Sequence, residues 1–305
     1  MRIDLSGRVA IVTGAGGGLG RDHALLLAKR GARVVVNDLG SARDGSGASV
    51  SMAEQVVKEI RQAGGDAIAN GASVTDFAQV EAMVERAMSA WGRVDILVNN
   101  AGVLRDRTFA KQDLSDFAAV IDVHLMGSVH CSKAVWGIMA AQGHGRILMT
   151  TSSSGLYGNF GQSQYGAAKL GLVGFMKTLS IEGKKHGIRV NCLAPSAATR
   201  MTADIMSEED LAALAPATVS PGMLALVCDD APTGMIMCAG AGSFEAAHIT
   251  LTRGLHVGTG DDAPERVLAG LDRILARTGE MVPGAGIEQS RYELSCRSGP
   301  VAVRG

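Results

Sequence analysis

The stretch Val9–Gly20, VAIVTGAGGGLG, constrains this chain more than any other. Val9–Val12 is a short apolar run that reads as a strand buried on both faces. Leu19–Arg30 carries Leu25, Leu26 and Ala28 and stops at Gly31, so it reads as a helix with a glycine C-terminal signal. Between the two, Gly14, Gly18 and Gly20 are spaced GxxxGxG, and Leu19 stands where the GxGxxG form would have its last glycine. Glycines placed there let the chain turn tightly after a strand and bring backbone close to a pyrophosphate. The helix N-terminus adds amide donors and the positive end of its dipole.

The same alternation continues down the chain. Apolar runs at Arg33–Asn37, Ala67–Asn70, Val94–Asn99, Arg146–Thr150, Ile188–Leu193 and Met235–Cys238 read as strands. Helical patterns fall between them at Ser51–Gln62, Phe77–Ala90, Asp113–Ala141 and Ser163–Lys185. Strand–helix alternation of this kind predicts an α/β, doubly wound fold, a seven-stranded parallel sheet flanked by helices. From Pro195 to about Pro232 the composition turns Ala/Ser/Thr/Met-rich with weak periodicity, which reads as a mobile substrate-side segment with short helices. Within it Ala194–Ala217, with Met201, Ile205, Met206, Leu211 and Leu214, offers an adaptable apolar wall. Asp261–Gly279 suits one amphipathic helix, and Glu280–Gly305 carries no clear signal. The expected division is residues 1–255 as the main domain and 256–305 as a helical extension and tail.

Composition narrows the partners. A formal net charge of −1 in 305 residues gives no reason to expect nucleic acid or an anionic membrane surface. Five scattered cysteines with no CxxC point away from a disulfide framework or a metal site and toward a reducing compartment. The opening residues lack a signal-peptide layout, no apolar run is long enough to span a bilayer, and the final VAVRG is no peroxisomal address. The expectation is a cytoplasmic protein.

Three further groups of residues carry chemistry. The second strand ends at Asp38, whose carboxylate can accept hydrogen bonds from adenosine ribose hydroxyls and repels a 2′-phosphate; Arg43 nearby weakens that preference. Asn99-Asn100-Ala101-Gly102 puts small residues at the carboxyl end of the fourth strand, where backbone can approach a ligand. Tyr165 and Lys169 lie four apart in a helical stretch and share a face, with Ser152 upstream at the end of the fifth strand. A phenol is too weak an acid to serve at neutral pH, and a neighbouring ammonium lowers its pKa. Taken singly, Tyr-x-x-x-Lys is a common surface pair and a serine after a strand is a common turn; their order behind the glycine loop is what points to a site.

With TGAGGGLG, NNAG, Ser152 and YGAAK on one chain, the sequence resembles the short-chain dehydrogenase/reductase family over about residues 5–250. The resemblance implies a Rossmann fold, an oligomer of two or four copies, and nicotinamide-dependent oxidation of an alcohol. Tyr165 would be the acid/base, Lys169 the group that binds nicotinamide ribose and lowers the tyrosine pKa, and Ser152 the group that positions the substrate oxygen. It implies cofactor contacts from Gly14, Gly18, Leu19, Gly20, Asp38, Ser73, Val74, Asn100, Ala101, Gly102, Tyr165, Lys169, Pro195 and Thr199, with NAD as the cofactor. Two motifs depart from the family. His124 stands in VHLMG where asparagine is usual, as a candidate member of the proton relay, and Pro195-Ser196 replaces Pro-Gly. VVVNDLG, NNAGVLRDRTF, VHLMGS and TSSSGLYGNFGQSQYGAAKLGL are similar to the (3R)-hydroxyacyl-CoA dehydrogenase group of multifunctional enzymes, also called 17β-hydroxysteroid dehydrogenase type 4, where histidine also occupies the His124 position. That likeness implies an acyl-CoA substrate, with a steroid or an acyl-carrier-protein thioester as alternatives and a non-catalytic NAD sensor as a remote one. Arg105, Arg107 and Arg200 are the nearest candidates for CoA phosphates, unless they form ion pairs such as those open to Asp106, Asp113 or Asp116.

Overall fold

The computed structural model describes residues 2–40, 47, 49–197 and 207–298. Arg43, Thr199, Arg200, Met201, Ile205 and Met206 lie outside the described residues. Two compact units are present, Met1–Ala246 and Ala247–Gly305.

The first unit opens with β1 (Val9–Thr13), α1 (Gly18–Lys29), β2 (Arg33–Asn37), α2 (Ser51–Gln62), β3 (Ala67–Asn70), α3 (Phe77–Trp91) and β4 (Ile96–Asn99). It continues with α4 (Leu114–Ile121), α5 (Gly127–Gln142), β5 (Gly145–Thr150), α6 (Ser153–Tyr157), α7 (Ser163–Glu182) and β6 (Ile188–Ser196). Then come α8 (Glu208–Ala213), α9 (Ser220–Val227), β7 (Ile236–Gly240) and β8 (Ser243–Ala247). One sheet holds all eight strands in the order β3-β2-β1-β4-β5-β6-β7-β8. β1 through β7 pair in parallel, with Val12 opposite Val36 and Val98 at the centre. Every residue of β1, β4 and β5 is buried, as strands covered by helices on both faces must be.

The expected seven-stranded, wholly parallel sheet is corrected here: an eighth strand makes the sheet mixed. Only Ala241 and Gly242 separate β7 from β8, with φ of 49° and 77°. Two left-handed residues in a two-residue connection form the turn that folds a chain back antiparallel. The turn puts an alanine where glycine or asparagine is the usual signal, and SFEAA is almost wholly exposed, so neither turn nor strand announced itself.

Three helical expectations also change. Asp113–Ala141 is not one regular helix, because a π-helical turn, Asp122–Met126, joins α4 to α5. Ser220–Val227 is core rather than a substrate-side flap, with Met223 and Leu226 fully buried. In the second unit, the amphipathic pattern at Asp261–Gly279 breaks into α10 (Ala263–Ala269) and α11 (Leu271–Leu275) at Gly270, whose Cβ would overlap Leu255. α12 (Gly286–Ser295) forms where no signal was read, anchored by the Tyr292 hydroxyl donating to Arg253 O at 2.7 Å.

Candidate active site

The turn between β1 and α1 is held by the segment after β4. Asn100 Nδ2 donates to Thr13 O and Gly14 O, both at 3.0 Å. Asn100 N and Ala101 N donate to Thr13 Oγ1 at 3.0 and 3.1 Å. Thr13 thus ties two strand ends together, a role the sequence signalled only by its place ahead of Gly14. Glycine is required sterically. A Cβ on Gly14 would lie 2.8 Å from Ala101 Cα, and one on Gly20 would overlap Gly14 O. Gly14 and Gly18 also have φ of 62° and 51°, which side chains other than glycine seldom adopt.

Asp38 follows β2 and its carboxylate is fully oriented. Oδ2 accepts from Gly16 N and Oδ1 from Gly40 N, each at 2.7 Å. Leu19 packs into the core beneath the turn. Ser73 and Val74 lie beyond β3, where Ser73 N donates to Gln79 Oε1 at 3.0 Å and Val74 O meets His130 Nδ1 at 2.9 Å. Pro195 lies next to the end of β6, half-buried opposite Ala239. The glycine turn, Asp38, Asn100–Gly102 and Pro195 all lie at the carboxyl ends of parallel strands, where doubly wound sheets bind ligands. A turn with no room for side chains, backed by a fixed carboxylate, fits a dinucleotide.

Ser152 caps α6, its Oγ accepting from Ser154 N at 3.2 Å. Its hydroxyl acts on the Tyr165 phenol, favouring the phenolate. Lys169 lies one turn along α7 from Tyr165, with Nζ 5.5 Å from the ring centroid. It is buried and donates to Thr150 O at 2.5 Å. Gly155 lets α6 approach α7, because a Cβ there would lie 2.7 Å from Lys169 Cβ. Ser152, Tyr165 and Lys169 are therefore together.

Their electrostatics differ from the sequence expectation. Burial pushes the Tyr165 phenol up, the Ser152 hydrogen bond opposes this, and the Asp106 charge adds to it. Burial also pushes the Lys169 amine down to about 7, so near neutrality it is not a permanent charge.

His124 sits in the π turn, buried, with its ring edge-on to Tyr165 at 5.2 Å between centroids. Its Nε2 lies 2.8 Å from Val103 O, while Nδ1 is buried with no partner among the described residues. Burial, aided by Lys169, pushes its pKa down to about 3, so the ring is neutral. Its backbone oxygen accepts from Ser128 Oγ at 2.7 Å. The ring packs on Gly102, where a Cβ would overlap it. Of the arginines read as phosphate contacts, Arg105 pairs with Asp116 at 2.6 Å, and Arg107 is exposed. Sequence reasoning read Asp106 only as an ion-pair partner for an arginine and passed over Gln162, whose Nε2 donates to Asp106 Oδ2 at 2.7 Å.

A family model described as short chain dehydrogenase matches residues 8–210, two-thirds of the chain. The chain belongs to the short-chain dehydrogenase family. It is a nicotinamide-dependent oxidoreductase. A short-chain type dehydrogenase/reductase of Mycobacterium tuberculosis is 50% identical over 240 residues, 78% of this chain and 84% of that protein. The peroxisomal multifunctional enzyme type 2 of Drosophila melanogaster is 48% identical over 255 residues, 83% of this chain. This dehydrogenase spans only 42% of that enzyme's length, so the likeness does not single out the multifunctional enzymes over the bacterial dehydrogenase. Among solved structures, a short chain dehydrogenase from Mycobacterium avium superposes with a TM-score of 0.77 at 39% identity, covering 92% of this chain and 99% of that one. A 7α-hydroxysteroid dehydrogenase, solved with NADH and a 7-oxo bile acid, gives 0.71 at 30% identity, covering 79% and 95%. The cytoplasmic expectation is overturned. Related enzymes from fly, mouse, Dictyostelium and two fungi are named as peroxisomal, so composition and chain ends do not justify a cytoplasmic assignment. No described helix is long and apolar enough to cross a membrane.

Proposed function

We propose that the dehydrogenase interconverts a (3R)-3-hydroxyacyl-CoA and the corresponding 3-oxoacyl-CoA, with NAD as redox partner. The observation that carries the reaction type is the grouping of Ser152 and Tyr165 with the buried Lys169, whose Nζ lies 5.5 Å from the Tyr165 ring, at the strand ends that also bear the glycine turn. When bound, the nicotinamide supplies the carbon that accepts or returns hydride. In oxidation, Ser152 Oγ holds the substrate oxygen and the Tyr165 phenolate takes its proton; in reduction, the Tyr165 phenol returns that proton to the ketone oxygen. Lys169 has Nζ donors beyond the one given to Thr150 O, which suit the hydroxyls of a ribose. The Asp38 carboxylate, held by two backbone amides, supports NAD over NADP, because a 2′-phosphate would meet a fixed negative charge.

The substrate class rests on likeness to the hydroxyacyl-CoA group, including His124 where the wider family has asparagine. A steroid is the second reading, favoured by the likeness to the hydroxysteroid dehydrogenase. The test is a panel of 3-hydroxyacyl-CoAs, the same acyl groups on a short pantetheine, 17β- and 7α-hydroxysteroids and an acyl-carrier-protein substrate, followed by NADH absorbance at low and high salt. Full CoA thioesters should be preferred, and that preference should shrink with salt as the phosphate contacts are screened. Good turnover of a hydroxysteroid with no advantage for CoA at any salt would replace this reading with the steroid one.

A further inference from the structure

The Ser152 hydroxyl is reached by a series of hydrogen bonds that begins in another loop. Asp106 Oδ2, in the loop after β4, accepts from Gln162 Nε2 at 2.7 Å. Gln162 Oε1 accepts from Ser154 Oγ at 2.8 Å and from Asn159 Nδ2 at 3.0 Å. Ser154 N donates to Ser152 Oγ at 3.2 Å. These partners fix the Gln162 amide, because turned over it would set its oxygen against a carboxylate and its NH2 against another NH2. Two bonds hold the loops together on either side of it. Arg107 N donates to Gly161 O at 2.9 Å, and Gln164 Nε2, on a fully buried side chain, donates to Arg105 O at 2.7 Å. Gly158 and Gly161, with φ of 79° and 78°, let the chain turn between α6 and α7 so that Gln162 meets Ser154.

We infer that Gln162 is a positioning residue for the Ser152 hydroxyl, acting through Ser154 and anchored on Asp106. The inference rests on Ser152 holding the substrate oxygen. α6 has five residues, too few to be stable alone, so its seat depends on what it touches. It lies close against α7 at two glycines. A Cβ on Gly155 would lie 2.7 Å from Lys169 Cβ, and one on Gly166 would lie 3.2 Å from Ser154 O. Close packing sets the spacing of the two helices, and the Ser154–Gln162 hydrogen bond adds a direction to it. The seat matters because Ser152 caps α6. Ser154 N engages one lone pair of Ser152 Oγ, which leaves the hydroxyl proton and the second lone pair for a substrate oxygen. A shift of α6 carries Ser154 N with it and turns the Ser152 hydroxyl. Asp106, Gln162 and Ser154 lie neither in the glycine turn nor among the buried side chains. Losing the Gln162 bonds is therefore felt as a misdirected hydroxyl rather than as loss of fold or of cofactor.

Gln162→Met keeps the length of the side chain and removes its hydrogen bonds. With the best alcohol of the substrate panel it should lower turnover roughly tenfold, while NAD affinity, read by fluorescence, stays within a few-fold. Ser154→Ala should give a similar loss. Ser152→Ala should cost more, about 10²-fold, and Gln162→Met added to it should cost nothing further, because the route ends at Ser152. Exchanging the partners supplies a rescue. Gln162→Glu sets two carboxylates against each other and should lower turnover. Asp106→Asn added to it restores an N–H donor between the two residues and should recover most of the loss. Undiminished turnover in Gln162→Met overturns the inference and leaves the reaction assignment standing. So does a further loss of the same size when it is added to Ser152→Ala, an equal loss of NAD affinity, or a failed rescue in the exchange. Full turnover in Ser152→Ala removes the role given to Ser152, and the inference with it.

Discussion

Lowering the pH from 7 to 5 should destabilise this fold strongly, because of histidines rather than carboxylates. His23 on α1 is fully buried, with Nδ1 2.8 Å from Ser220 Oγ and Nε2 unpartnered among the described residues. His124 is buried in the π turn. Burial pushes both down to about 3. In the unfolded chain each imidazole binds a proton near pH 6.5, so below that pH the unfolded state holds two protons that the native state refuses. Each is worth about 1.4 kcal/mol per pH unit, so stability falls by about 2.7 kcal/mol per unit and by about 4 kcal/mol on reaching pH 5. The sign follows from the lowered native pKa: the stability is fully present above about 6.5 and is lost as pH falls toward 3. His144, half-buried and pushed down to about 4, adds in the same direction. Against a total of roughly 5–15 kcal/mol for a domain, the loss is large. Urea unfolding at half-unit steps from pH 7.5 to 5 measures the slope. His23→Asn keeps a polar nitrogen near Ser220 and should remove about one proton from it. A slope of less than one proton over this range, or one unchanged by His23→Asn, would show that the buried rings charge without unfolding and would refute the argument.

Tyr165→Phe should lower turnover by about 10²–10⁴-fold while NAD affinity, measured by fluorescence, stays within a few-fold; retained turnover would identify another acid/base. Wild-type protein should favour NAD over NADP by about ten- to a hundredfold in catalytic efficiency, and Asp38→Asn should narrow that ratio. The same substitution weakens acceptors for Gly16 N and Gly40 N, so thermal denaturation should also show a loss of about 1–3 kcal/mol. Gly102→Ala should destabilise by roughly 1–3 kcal/mol because its methyl meets the His124 ring, and combining it with His124→Asn should recover part of the loss; additive effects on the melting temperature would contradict the contact.

Much of the first unit was legible because parallel strands covered on both faces are written as uninterrupted apolar runs, and all seven such runs became strands in one sheet. The glycine turn was legible for a related reason. Gly14 and Gly20 face backbone rather than mobile side chains, and a position that excludes every side chain leaves a mark that one sequence suffices to show. β8 left no mark because an exposed edge strand is not obliged to be apolar, and its turn spends an alanine at φ 49°. The π turn was hidden in a helical pattern that it does not interrupt, since Val120 and Cys131 on either side remain buried.

The site divides along the same line. Ser152, Tyr165 and Lys169 could be ordered along the chain because each follows a readable element. What acts on them could not. Sequence spacing suggests an ammonium lowering the Tyr165 pKa, but spacing says nothing of burial, and burial pushes Lys169 down and the phenol up. Nor does it show that the charge of Asp106, fifty-nine residues from Tyr165 along the chain, adds to that upward push. For this dehydrogenase the balance of burial, the Ser152 hydroxyl and the Asp106 charge holds the Tyr165 phenol above its ordinary range, a result that the Tyr-x-x-x-Lys spacing alone could not show.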